Sequence, residues 1–241
     1  PRMTKFLTCL LAIAMMAGLA SAEITVIDDI QEYDAAGAPA SPYDGQTVTI
    51  EGTIFVVGGT YNGGTHYVLD ATGGVSFYQS GTGLVLGDQV SITGTVGSWS
   101  GEIQLSSPSI TYLGPGTVPE AIPMSTGEVL STYENVGSLV AATGFVTDVD
   151  GSEFRLASAG EDTLICYIDS DTGIDYSGIA VGDEYLVRGP VVNYNGLIEI
   201  KPRMQSDLVE DPSGDTVPVI ENGSVDKKLD PGLSEDQLIE M

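Results

Sequence analysis

Along residues 46–57 apolar and polar side chains alternate: Val48, Ile50, then, past Gly52, Ile54 and Val56. A period of two marks a half-buried strand. The interior glycine predicts a long strand that bends, as the first strand of a small barrel does when it passes between two sheets. The same alternation returns at 65–70, 75–78, 88–96 and 102–105, between turns rich in Gly, Asp and Ser. Residues 110–113 read as an extra strand or strap, and 114–119 as a linker.

The pattern then starts again. Residues 87–105, GDQVSITGTVGSWSGEIQL, return at 182–200 as GDEYLVRGPVVNYNGLIEI. Gly87, Asp88, Gly94, Val96, Gly101 and Ile103 recur as Gly182, Asp183, Gly189, Val191, Gly196 and Ile198, and Trp99 falls opposite Tyr194. Upstream, 45–54 matches 137–146. A repeat this long, present twice, predicts two similar domains and not a solenoid. In the second unit Ser125 and Glu128 form a capping box before a turn of helix at 126–130. Strands are expected at 139–149, 153–156, 162–168, 184–192 and 197–200, with an acidic loop at 169–182. The predicted fold is all-β: two tandem five-stranded barrels at 23–118 and 119–210. An acidic tail with many Pro and Gly, 211–241, is expected to be disordered.

Residues 1–22 change the picture of where the chain works. Arg2 and Lys5 precede an apolar run at 6–19, and Ala20-Ser21-Ala22 is a small-residue cleavage site. That is the layout of a secretory signal peptide, with a run short for a membrane span. The expected location is secreted or periplasmic, with no span in the mature chain. The chain's end suggests that the natural protein continues. Cys166 is then the sole cysteine of the mature chain, inside an apolar strand, and reads as a buried small hydrophobe.

Charge narrows the functional classes. The formal net charge is −26, and no Lys or Arg occurs between Glu23 and Pro119. Arg155, Arg188, Lys201 and Arg203 are the only basic residues from there to Glu210. Phosphate backbones need such residues to displace counterions, so the charge opposes nucleic acid and anionic membranes.

The bent first strand, the five-strand count and the V-x-G-x-V strand before a short hairpin resemble the OB-fold, a five-stranded Greek-key barrel. Asp29-Ile30-Gln31, Ser41-Pro42-Tyr43, 45–54 and 87–96 are similar to OB-type modules found beside secreted bacterial nucleases and other exported enzymes. The resemblance implies a scaffold and no particular ligand, since these motifs are glycines and strand residues. It also implies a ligand face on the second and third strands and their loops. That places Tyr61, His66, Tyr78 and Trp99 near a ligand surface, with Tyr194 as the second copy's counterpart of Trp99. Tyr61 and Trp99 stand out because they sit in turns.

Asp169, Asp171 and Asp175 are spaced around Gly173 as oxygen ligands for Ca²⁺ would be, without the bidentate Glu of a full EF-hand loop. No other cofactor is expected. A single histidine and a single mature-chain cysteine argue against Zn²⁺ chemistry, and no catalytic constellation is marked. The expectation is a secreted, non-catalytic binding or assembly protein with a protein or glycan partner. A nucleic-acid-binding accessory module of an extracellular nuclease is the alternative, and a Ca²⁺-dependent hydrolase comes third.

Overall fold

The computed structural model describes residues 23–61 and 63–210, and two short strands at 220–221 and 224–225. Residues 1–22, read above as a signal peptide, lie outside the described residues, as does the tail apart from those two strands. The first barrel comprises β1 (Thr47–Val56), β2 (Thr65–Leu69), β3 (Gly74–Tyr78), β4 (Asp88–Trp99) and β5 (Glu102–Pro115). They close in the order β1-β2-β3-β5-β4, β3 and β5 pairing in parallel. β6 (Ile122–Met124) and the helix α2 lead into the second barrel. (α1 is the turn Ile27–Ile30, and α2 is Thr126–Leu130.)

The second barrel comprises β7 (Leu139–Asp150), β8 (Glu153–Ala157), β9 (Leu164–Tyr167), β10 (Glu184–Tyr194) and β11 (Leu197–Ile200). Its order, β7-β8-β9-β11-β10 with β10 closing on β7, repeats the first. β6 and β12 (Leu208–Glu210) extend it as edge strands. β13 (Ile220–Glu221) and β14 (Ser224–Val225) pair with each other. Among the described residues no helix is long and apolar enough to cross a membrane.

The first strand of each barrel bends where the sequence asks it to. The β1–β2 register slips between Ile54 and Val56, and the β7–β8 register slips at the corresponding Val146 and Asp148. Inward residues fill each interior: Ile50, Ile54, Val68, Phe77, Ile92 and Leu105 in one, and Val140, Phe154, Leu156, Leu164, Val187 and Ile200 in the other. Each fully buried aliphatic or aromatic side chain contributes roughly 1.5–3 kcal/mol. Cys166 belongs to the second core. The capping box forms as read, with Ser125 accepting from the Glu128 amide and Glu128 accepting from the Ser125 amide.

One expectation changes, and two short edge strands are added. β5 is one 14-residue strand, so residues 110–113 are its continuation and not a separate strap; β4 is long enough to pair with all of it. β6 and β12 were not legible, because each is three residues long and owes its form to a neighbouring strand.

The barrels are joined by a third apolar cluster. Phe55, Val56, Tyr61, Tyr67 and Leu69 of the first pack with Leu139 of the second, with Val192 at the margin. Arg203 clamps the joint. Its guanidinium donates to both carboxylate oxygens of buried Asp207, at 2.8 and 2.9 Å, and to the Phe55 carbonyl of the first barrel at 3.1 Å. Backbones touch at Gly74 and Gly137, where a Cβ on either would collide with the other's carbonyl group.

Candidate functional site

The repeated hairpins meet at this joint. In both, the two turn residues have positive φ: Ser100 (50°) with Gly101 (90°), and Asn195 (51°) with Gly196 (93°). This is the two-residue turn whose twist suits a hairpin. The tips lie side by side. The Asn195 amide donates to the Ser100 carbonyl at 2.8 Å, and the Asn193 side-chain amide donates to the carbonyls of Gly101 (2.9 Å) and Gly37 (2.7 Å). Buried Asn193 thus fixes the two turns to one another. Next to these turns stand Trp99 and Tyr194, 73% and 53% exposed.

Behind them runs a cleft of about 240 Å³ whose lining includes Trp99, Tyr194, Tyr61, Glu102, Gln104 and Lys201. Its floor is the outer face of β2, β3 and β5. Tyr67 pairs with Ser76, and Ser76 with Gln104. Thr65, also in the lining, pairs with Tyr78, which is exposed and continues the same face beyond the cleft. This is the sheet face that the OB-fold resemblance implies for a ligand.

Tyr61 is corrected. It is 4% exposed, because the second barrel covers the turn that carries it. Its hydroxyl donates to the Lys201 carbonyl at 2.6 Å, and the Lys201 ammonium lies 4.4 Å from its ring centre. Burial holds the Tyr61 hydroxyl well above its ordinary pKa. His66 is corrected as well. It is 2% exposed, stacked on Phe77 at 4.8 Å, accepts from the Gly58 amide through Nδ1, and has Nε2 3.0 Å from the Gln79 carbonyl. Burial lowers its pKa, partly offset by the Gln79 contact. It shapes a loop and does not line the cleft at Trp99 and Tyr194.

The three aspartates are not gathered. Asp169 accepts from the Asp171 amide at 3.2 Å and pairs with Lys201 at 3.3 Å, while Asp175 accepts from both the amide and the hydroxyl of Ser177. Among the described residues no group of three or more His, Cys, Asp or Glu side chains is placed to hold a metal ion. Lys201, backbone amides and the Ser177 hydroxyl occupy carboxylate oxygens of Asp169 and Asp175.

Glu102 is the residue that sequence reasoning missed. It is 7% exposed, and its Oε2 accepts from the Tyr67 hydroxyl at 3.1 Å. Oε1 is buried without a hydrogen-bond partner, although Ser76 faces the carboxyl. Burial pushes its pKa up to about 7, offset in part by the hydroxyls of Ser76 and Tyr67 and by the charge of Lys201. One signal was available. The repeat sets Glu102 opposite Leu197, a charged residue against an apolar one.

The basic residues among the described ones are committed. Arg155 pairs with Asp148, Arg188 donates to the Ser206 carbonyl, Lys201 pairs with Asp169 and Arg203 with Asp207. A larger cleft of about 1210 Å³, lined by Asp28, Asp29, Glu32, Asp34 and Glu134 among others, holds none of the expected site residues.

No protein-family model matches the chain, and no curated protein matches it. Among solved structures it is similar to a murine DNA-binding protein bound with double-stranded DNA, at 11% identity and a TM-score of 0.38, covering 64% of this chain and 90% of that one. It is also similar to the HINa domain of Ifi202 in complex with 20-bp double-stranded DNA, at 11% identity and a TM-score of 0.33, covering 64% and 93%. A third is p202 HIN1 in complex with a 12-mer double-stranded DNA, at 11% identity and 0.32, covering 64% and 87%. None of the three is described as part of a nuclease. All are complexes with DNA, and the expectation of a protein or glycan partner, with nucleic acid disfavoured, is corrected on that finding.

Proposed function

We propose that this chain is a non-catalytic binding module, and that it takes single-stranded nucleic acid by stacking bases on Trp99 and Tyr194. The observation that carries the reading is the exposed aromatic pair on two turns that are hydrogen-bonded to each other. Large aromatic surface held out to solvent on a rigid support suits a planar ring, and base stacking is worth roughly 1–3 kcal/mol per base. The polar floor behind the pair supplies hydrogen-bonding groups for the ring's edge. Because Arg155, Arg188, Lys201 and Arg203 already have partners, stacking and not phosphate pairing supplies the affinity. The N-terminal segment supports placing this activity outside the cytoplasm.

Trp99 is the only tryptophan, so its fluorescence reports directly. Titration with short single-stranded oligonucleotides should quench it saturably. Trp99→Ala and Tyr194→Ala, followed by polarisation of a labelled oligonucleotide, should each weaken binding about tenfold, the loss of one stacked base. An unchanged affinity in both variants, or no binding by the parent, refutes the reading.

A further inference from the structure

Two buried side-chain oxygens lack a hydrogen-bond partner among the described residues, Gln79 Oε1 and Glu102 Oε1. Gln79 lies outside the cleft lining and Glu102 within it. Folded proteins pair nearly all such groups, so an orphan at a ligand surface calls for a donor from outside. Around Glu102 the chain supplies Tyr67 from β2, Ser76 from β3 and Lys201 beyond β11, with Tyr61 and Tyr33 nearby. Tyr67 occupies Oε2. Lys201 is turned to Asp169 and to the rings of Tyr61 and Tyr167. Ser76 faces the carboxyl but makes no hydrogen bond to Oε1, so one acceptor remains, buried beside the cleft behind two stacking side chains.

We infer that Glu102 is the specificity-determining residue of the cleft: its orphan oxygen accepts the exocyclic amino group of a base stacked at Trp99 and Tyr194. The inference rests on the nucleic-acid reading above and adds a base preference to it. Cytosine, adenine and guanine carry such an amino group. Thymine and uracil turn a carbonyl oxygen to the same place, acceptor against acceptor. Discrimination then comes as much from that repulsion as from the favourable bond.

The test compares oligo(dC) with oligo(dT) of equal length, two pyrimidines that differ at this position, at about pH 8, where the carboxyl is ionised. Trp99 quenching should give about tenfold tighter binding of oligo(dC). In Glu102→Gln the side-chain amide can turn its NH₂ toward the ligand, and the ratio should fall to about one or invert. A merely structural role would leave the ratio where it was. Equal affinities of the parent for the two oligonucleotides overturn the inference and leave the stacking site standing. Tighter oligo(dT) binding overturns it too. Failure of both to bind overturns the site reading and this inference together. The parent's own ratio decides the matter even if the variant folds poorly.

Discussion

Glu102→Gln should make the protein more stable, and only above a defined pH. The carboxyl is almost fully buried, and its pKa stands at about 7 against an ordinary 4.5. Below 4.5 it is protonated both folded and unfolded, and its ionisation costs nothing. As pH rises from 4.5 to 7 the unfolded chain ionises first, so folding loses free energy steadily. Above 7 the loss is complete, at about 3 kcal/mol from the conversion of pKa difference to free energy. Glutamine keeps an oxygen for the Tyr67 hydroxyl and carries no charge at any pH. The variant should match the parent near pH 4 and exceed it by about 3 kcal/mol near pH 8. Urea unfolding followed by far-UV circular dichroism, at intervals across that range, measures the difference directly. The many other carboxylates titrate alike in both proteins and cancel. A difference that stays constant with pH, or a variant less stable than the parent near pH 8, would refute the reasoning.

Arg203→Ala should cost about 3–5 kcal/mol, because it strands Asp207 as a buried charge and frees the Phe55 carbonyl. Arg203→Lys should rescue little, lacking the forked geometry, and chemical denaturation giving a loss under about 1 kcal/mol would contradict this. Oligonucleotide affinity should hold or rise as NaCl goes from about 50 to about 300 mM, since salt screens repulsion from an acidic chain and few counterions are released. A steep fall, by Trp99 titration, would mean that phosphate pairing dominates. Cys166 should resist thiol reagents on the timescale of folding stability, because burial both hides it and pushes its thiol up; reaction on mixing would contradict its place in the core.

The repeat was legible because the same residues do the same backbone work twice. The Gly87 and Gly182 amides donate to the carbonyls of Ile54 and Val146, each at 2.8 Å. Asp88 and Asp183 accept from the amides of Val85 and Ala180, at 2.9 and 2.7 Å. Such local jobs leave a mark in the sequence. Tyr61 did not, since it resembles an exposed turn residue until a second barrel is set over it. Asp169 likewise looks like a cation ligand until Lys201, distant in sequence, arrives beside it. Both misreadings come from contacts between residues far apart in sequence, across the joint for Tyr61 and within the second barrel for Asp169, which no local pattern connects.

That interface also explains why the two copies have diverged where they have. Glu102 and Leu197 follow equivalent turns, yet Glu102 is buried and Leu197 exposed. Glu102 lies in the lining of the cleft at the joint and Leu197 does not, so the carboxyl beside the cleft is a feature of the first copy. A glutamine there would satisfy Tyr67 equally and spare the protein about 3 kcal/mol above pH 7. A leucine, as in the other copy, would avoid the ionisation cost as well. Stability therefore gives no reason for this carboxylate, whereas recognition of an amino group does, since only an acceptor without a partner inside the protein is free for one outside. The acidic composition fits the same picture. A site that depends on stacking and one acceptor needs no basic surface, and the surrounding negative charge disfavours ligands held by phosphate alone.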